Sequence, residues 1–414
     1  MQFILNNRLI FGILLFGLII RILWLFLVPG NFIPSSDDYD LIARNIIAGK
    51  GFSIHPPKPT AERMPIYPFF LMTLYKIFGR NIEFVCTLQA FIDMITCFVI
   101  FKTALIVFDS RRIAHFTAFL YAIYVPYFTL VGVIMNEILF NLFFSIFIFF
   151  LLKYYKNLNL KNSFLLGLLL GIATLIRETP FVLFPLLLLV PFIMIRGWKK
   201  SLKISLVMLL GFLVLYTPWL IRNAVTFQKI VILSTHSGFN LYTNYYFIPD
   251  PIKGQPIGVL EPETHSRLLQ QTEVDMDHEL MRRALKIIKD NPGHSLKVFF
   301  ENFFDFWFNL SYFTEKRFIM YYPVGGEMFS FSYTILFFNG FLLLFGFLGI
   351  IRLRKNWSSD CTILLIVIAS FNLLHMVFVC YVRHSMPVLP YLMMFASSFI
   401  FHMFSKSVKF APYN

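Results

Sequence analysis

The sequence predicts an all-α integral membrane protein: a polytopic helical bundle of about ten transmembrane helices with two long extracytoplasmic loops carrying amphipathic surface helices. Three observations predict it. Of 414 residues, 58% are hydrophobic and only 14% charged, where a soluble globular chain carries about a quarter charged residues. Apolar runs near the length that crosses a bilayer, about 20 residues, recur from end to end. The short segments between alternate runs are rich in Lys and Arg, the mark of cytoplasmic loops. The formal net charge of +14 is thereby accounted for by topology, and nucleic acid is excluded as a partner.

The first apolar run, 8–28, has no small-residue cleavage site after it and reads as a retained helix rather than a signal peptide. Further spans are drawn at 84–108, 113–131, 137–152, 163–176, 179–195, 204–220, 331–351, 361–380 and 386–404. Basic residues then fall on one side, among them Arg111 and Arg112, Lys153 and Lys156, and Arg352 and Arg354. Both termini are placed inside, which leaves 29–83 and 221–330 outside. The whole chain, 1–414, reads as a single transmembrane domain.

In the first outer segment, Ser35 or Ser36 can cap an amphipathic helix from Asp37 to Gly49, with Leu41, Ile42, Ile46 and Ile47 on one face. Asp37 and Asp38 would occupy its first turn, where carboxylates complement the helix dipole. Arg63 precedes Pro65 and Pro68, which break the chain before another apolar helix. In the second outer segment, 223–265 is rich in Asn, Gly, Pro and Tyr and should be irregular. An amphipathic helix over 266–290, ended by Asn291-Pro292-Gly293, and a second surface helix near 295–309 follow. Three tiny outer turns carry Asn136-Glu137, Arg177-Glu178 and Arg383-His384. Ionisable groups at such helix ends are functional candidates. The plainer account pairs Arg177 with Glu178 and lets Arg383 snorkel to the headgroups. Cys86, Cys97, Cys361 and Cys380 lie in or beside apolar runs, without the spacing of a zinc site.

Taken in order, these residues form a set: Asp-Asp-Tyr-x3-Ala-x5-Gly-x-Gly-Phe at 37–52, Arg-x-Pro-x-Tyr-Pro at 63–68, and Asn-Glu at 136–137. Leu-x-Arg at 175–177, Pro-Trp-x2-Arg-Asn at 218–223 and Arg-x3-Pro-x2-Pro at 383–390 complete it. The set resembles the GT-C membrane glycosyltransferases of the protein O-mannosyltransferase and aminoarabinose lipid A transferase type, from about residue 30 to 400. Each motif alone is weak; their order, spacing and shared outer placement are what make the set specific. The resemblance implies a sugar donor carried on a polyprenyl phosphate and transfer on the extracytoplasmic face of a membrane, a bacterial inner membrane by expectation. It also implies an acidic residue of the first outer loop at the reaction centre, here Asp37 or Asp38. Relatives often place that acid three residues before the Tyr, where this chain has Ser36, so the choice stays open, with Asp37 preferred.

The chemistry of the residues points the same way. A carboxylate can take the proton of an acceptor hydroxyl, and Glu137 is the second acidic candidate. Arginines in a partly dry site can neutralise a departing phosphate, because their forked donors pair with its oxygens. Arg63, Arg177, Arg222 and Arg383 are the candidates for this donor-phosphate role, from four separate segments. The acceptor would be a lipid, glycan or protein hydroxyl. No cofactor is required by any ligand spacing, although Asp37, Asp38 and Asp40 could hold a divalent cation. A polysaccharide polymerase or ligase would share the long outer loop but not the acidic first loop. A transporter would show discontinuous helices in paired halves, and a scaffold would leave the outer arginines unexplained.

Overall fold

The computed structural model describes residues 8–28, 30–34, 37–246, 248–249, 256–257, 271–308, 331–354 and 357–404. The architecture is helical almost throughout. In chain order the helices are α1 (Arg8–Leu27), α2 (Tyr39–Ile47), α3 (Ile66–Phe78), α4 (Ile82–Phe108), α5 (Arg111–Ile123) and α6 (Val125–Leu130). There follow α7 (Glu137–Tyr154), α8 (Leu160–Ile176), α9 (Leu183–Met194), α10 (Trp198–Phe227) and α11 (Ser237–Tyr245). The last are α12 (Glu273–Asp290), α13 (Pro292–Phe308), α14 (Phe331–Leu353), α15 (Ser359–Val377) and α16 (Leu389–Phe404). A minor antiparallel ladder pairs β1 (Ile248–Pro249) with β2 (Pro256–Ile257).

Local sequence explains where the helices begin. Asn81, Ser110, Asn159, Thr272 and Ser358 each accept a hydrogen bond from a first-turn backbone N–H through their side chains, capping α4, α5, α8, α12 and α15. Among the described residues, six helices are long and apolar enough to cross a membrane: α1, α4, α7, α10, α14 and α15. Four more apolar stretches are shorter, Ile66–Phe78, Leu160–Ile176, Thr179–Met194 and Leu389–Met403. The protein is an integral membrane protein.

Several expected boundaries shift, each for a local reason. The span expected over 113–131 is two helices, because Tyr124 adopts an extended conformation (φ −69°, ψ 116°) and α6 restarts with Pro126 in its first turn. The span expected over 204–220 is part of a 30-residue helix, α10, which runs through 221, where the second outer segment was expected to begin, and ends at Phe227. Part of 223–265, expected to be irregular, folds as α11. The short helix expected from Asp37 begins at Tyr39 instead, with Asp38 in the left-handed region (φ 62°) and no side-chain cap. The proposed capping residues Ser35 and Ser36 lie outside the described residues.

Small residues bring the helices together. A Cβ on Gly167 would lie 2.0 Å from the Met208 carbonyl oxygen, and one on Gly211 would lie 2.3 Å from that of Phe164. Glycine at both places lets α8 and α10 pack backbone to backbone, as membrane helices do where van der Waals contact replaces the hydrophobic drive. Deep in the bundle Arg21 of α1 and Asp93 of α4 form an ion pair at 2.6 Å, both fully buried. Tyr121 donates to the other oxygen of Asp93 at 2.6 Å, and Arg21 also donates to the carbonyls of Gly17 and Ala122. The four cysteines are free and buried. At one end of the bundle Lys156, just past α7, pairs with Asp360 at the start of α15. The opposite end, where α7 begins and α8 finishes, holds the site described next.

Candidate functional site

Asn136, just ahead of α7, donates through Nδ2 to the Ile176 carbonyl at 3.0 Å and so ties the start of α7 to the end of α8. That tie sets Glu137, the first residue of α7, beside Arg177, which leaves α8 in an extended conformation. Arg177 Nη1 lies 3.2 Å from Glu137 Oε1. From a third element, the 3-10 turn Val382–Ser385, Arg383 Nη1 lies 3.6 Å from the same oxygen. The same Nη1 reaches Asp37 Oδ2 at 3.4 Å. Tyr127 holds this turn by donating to the Met386 carbonyl at 2.6 Å.

The segment between α1 and α3 supplies the opposite wall. The positive φ of Asp38 reverses the chain between Asp37 and α2, a conformation few non-glycine residues adopt and Asp tolerates better than most. Arg63 donates through Nε to the Asp37 carbonyl at 2.9 Å, and its guanidinium stands 6.0 Å over the Tyr39 ring. Tyr39 in turn packs edge-on against Tyr67, whose hydroxyl donates to Gln89. Asp37, Arg63, Glu137, Arg177 and Arg383 thereby line one cavity of about 130 Å³.

The electrostatics follow from burial opposed by pairing. Burial alone would raise the Asp37 carboxyl, but the guanidiniums of Arg383, Arg63 and Arg177 outweigh it and hold the group below its ordinary value. Burial would lower the Arg383 guanidinium, and Glu137 and Asp37 more than reverse this. Glu62 and Glu178 go the other way: burial raises both, and Ser234 donates to Glu178 at 3.1 Å. Burial and Arg63 push His236 down to about 4. The guanidiniums are therefore held by carboxylates they must share, and donors are left over. Among the described residues Arg383 Nε is buried without a hydrogen-bond partner, as is Glu137 Oε2 on the acceptor side. A buried donor without an acceptor costs about 1–3 kcal/mol, and an anion rich in oxygens would remove that cost.

Two of the site residues expected from sequence are placed elsewhere. Arg222 donates to the carbonyls of Thr60 and Phe52 at 2.7 and 3.2 Å. Its guanidinium is boxed by the rings of Phe52, Trp219 and Phe227 at 5.3, 4.9 and 5.5 Å. It clamps the first outer segment upstream of Arg63 and does not line the cavity. Asp38 shapes the turn but is not among the lining residues. Asp40 is also turned away, its carboxylate spent on Arg80, Arg44 and Tyr75. The Asp37, Asp38 and Asp40 trio is not assembled, and no cluster of three metal-ligating side chains occurs among the described residues. Arg177, for which a partner was sought in Glu178, pairs with Glu137 instead.

The cavity also contains His384 of the Arg383-His384 turn and Tyr39 of the Asp-Asp-Tyr motif, together with residues that the sequence did not single out: Glu62, His236, Asn240 and Tyr381. Adjacency was the available signal for Glu62, next to an arginine of the set. His236 and Asn240 carried none, because the second outer segment reaches the cavity only through tertiary contacts. The Thr235 N–H donates to the Ala61 carbonyl at 3.2 Å, and Glu273 at the start of α12 accepts from both Thr235 Oγ1 and the Ala61 N–H.

Comparison with known proteins agrees in sequence and in fold. Residues 55–221 match the family described as dolichyl-phosphate-mannose-protein mannosyltransferase. No curated protein matches the chain. The oligosaccharyltransferase of Archaeoglobus fulgidus in its apo form superposes over 95% of this chain with a TM-score of 0.56 at 14% identity. The archaeal oligosaccharyltransferase AglB from the same organism, solved with an inhibitory peptide and a dolichol-phosphate, gives 0.56 over 96% at 14% identity. In both cases this chain covers 51% of the other, so it spans about half the length of that enzyme. ArnT from Cupriavidus metallidurans bound to undecaprenyl phosphate is similar over 94% of this chain and 76% of its own, at 14% identity and a TM-score of 0.46. The fold is that of the Archaeoglobus fulgidus oligosaccharyltransferase, and the family match over 55–221 falls within the stretch whose motifs carry the resemblance read along the sequence.

Proposed function

From this fold and its cavity, we propose that the protein is a glycosyltransferase that moves a sugar from a polyprenyl-phosphate donor to a hydroxyl of a lipid, glycan or protein acceptor. One observation carries the reading: Arg63, Arg177 and Arg383, from three distant parts of the chain, meet Asp37 and Glu137 around a single cavity. Isolated arginines at helix ends reach the headgroups at little cost. Buried arginines that face one another persist only with carboxylate partners or an anionic ligand, and here, among the described residues, Arg383 Nε is left without an acceptor.

In the proposed reaction the acceptor oxygen attacks the anomeric carbon of the donor, and the bond from that carbon to the phosphate oxygen breaks. Polyprenyl monophosphate leaves with the bonding electrons. Asp37 takes the hydroxyl proton, and the arginines neutralise charge as it develops on the phosphate. Glu137 orients Arg177 and Arg383 through the oxygen they share. Because arginines carry the neutralising charge, the reading requires no metal, and turnover is expected to survive treatment with EDTA. About ten spans, the six long helices and the shorter apolar ones, would put the cavity on the extracytoplasmic face, in a bacterial inner membrane by expectation. The test is an assay of the purified protein with a panel of polyprenyl-phosphate sugars. Sugar transfer with release of polyprenyl monophosphate supports the reading, and no turnover across the panel counts against it.

A further inference from the structure

Beside Arg383 the cavity is lined by a histidine that the proposed reaction leaves without a task. His384 is 8% exposed. Its Nδ1 accepts the backbone N–H of Tyr381 at 3.3 Å. A ring nitrogen that accepts cannot also carry the proton, so the neutral imidazole holds its proton on Nε2. The ring is fixed in orientation as well as tautomer. It stacks on His375 of α15 at 4.3 Å between centroids, and His375 stacks in turn on Phe306 of α13 at 5.8 Å.

We propose that His384 is a donor-binding residue, an N–H donor from Nε2 to an oxygen of the donor phosphate, working beside the guanidinium of Arg383. The proposal rests on the phosphate reading above and adds a residue to it. Nδ1 is already occupied, so Nε2 is the nitrogen left to meet a ligand in the cavity that this ring lines. Its surroundings keep the ring uncharged: burial, the His375 imidazole and the guanidiniums of Arg177 and Arg383 all push it well below the ordinary histidine value. A histidine so placed is no general acid or base at neutral pH. It adds a hydrogen bond of fixed direction without another buried charge among three arginines, which the shared carboxylates could not balance.

The test measures binding of a polyprenyl monophosphate, with the matching polyprenol as control, to the full-length protein in nanodiscs. His384→Phe keeps a flat ring for the stack and removes the N–H. His384→Gln restores an N–H near the position of Nε2. His384→Asn offers a carboxamide too short to reach as far. Wild type is expected to bind the phosphate and not the alcohol. His384→Phe and His384→Asn should weaken phosphate binding about tenfold, and His384→Gln should recover most of it even though Gln, like Phe, gives up the Nδ1 acceptor of the Tyr381 N–H and shares whatever fall in melting temperature that loss brings. Undiminished binding by His384→Phe would overturn the proposal. So would equal weakening in all three variants with a lowered melting temperature, the signature of packing alone. A wild-type protein that does not distinguish phosphate from alcohol would instead sink the donor reading itself, before His384 is in question.

Discussion

At the scale of single residues, Asp37 and Asp38 are neighbours with different work. Asp37 faces three guanidiniums in the cavity, whereas Asp38 supplies a backbone conformation. Asp37→Asn is expected to lower turnover by about a hundredfold to ten-thousandfold, the cost of losing a general base, with expression and membrane insertion intact. Asn and Gly adopt positive φ as readily as Asp does, so Asp38→Asn and Asp38→Gly should stay near wild type. A dead Asp38→Asn beside an active Asp37→Asn would transfer the role. The pH profile offers a second measurement. The depressed Asp37 carboxyl stays ionised below the usual carboxylate range and is protonated only as pH falls through its lowered value. The acid limb of kcat/KM, which reports free enzyme, should therefore lie at unusually low pH. A bound phosphate cancels part of the arginines' field and raises the same group. The acid limb of kcat should thus sit at higher pH than that of kcat/KM, and coincident limbs would argue against Asp37 beside the phosphate. Among the arginines, Arg383→Lys keeps charge but loses the fork. It is expected to cost about a hundredfold or more in kcat, whereas Arg222→Lys should lower the melting temperature by opening the ring-lined clamp on Phe52 and Thr60.

At the scale of elements, the helices most legible in the sequence were those whose ends are local. Asn291-Pro292 separates α12 from α13 much as turn chemistry requires, whereas Asn159 and Ser358, each one residue ahead of the helix it caps, start α8 and α15 before the spans that hydropathy drew at 163 and 361. The left-handed Asp38 was not legible, since nothing in Asp-Asp-Tyr favours a turn over a first helical turn until Arg63 and Arg383 are in place around it. The arginine grouping failed to separate Arg222 for a similar reason. Its motif, Pro-Trp-x2-Arg-Asn, stands on the same side of the bundle as the others, and only the packing of Phe52 and Trp219 shows that it faces a different way. The contact between α8 and α10 supplies a test at this scale. Gly211→Leu forces a side chain toward the Phe164 carbonyl. Overpacking of this kind costs about 1–3 kcal/mol, so a clear fall in thermal stability in detergent is expected, whereas an unchanged melting curve would mean that the helices do not pack this closely.

For the whole molecule, apolar runs and basic loops made the bundle readable, while the assembly of the cavity depended on contacts between residues as far apart as Asp37 and Arg383, beyond any periodicity. The alternation of basic loops predicts the orientation. Residues near 60 should be labelled from outside and residues near 157 from inside in cysteine-accessibility measurements, and a cytoplasmic residue 60 would place the cavity on the wrong face. The ion pair between Arg21 and Asp93 has its own consequence for how the chain enters the membrane. An arginine or aspartate near the middle of an inserting helix costs about 2.5–3.5 kcal/mol on the scale of the insertion machinery. Among the described residues each of α1 and α4 thus carries a charge that the other neutralises, and the ribosome delivers the two charges 72 residues apart. Until α4 emerges, α1 should linger at the insertion pore or beside a chaperone rather than diffuse into lipid. Crosslinking of nascent chains truncated before and after Asp93 would then show α1 released only by the longer ones.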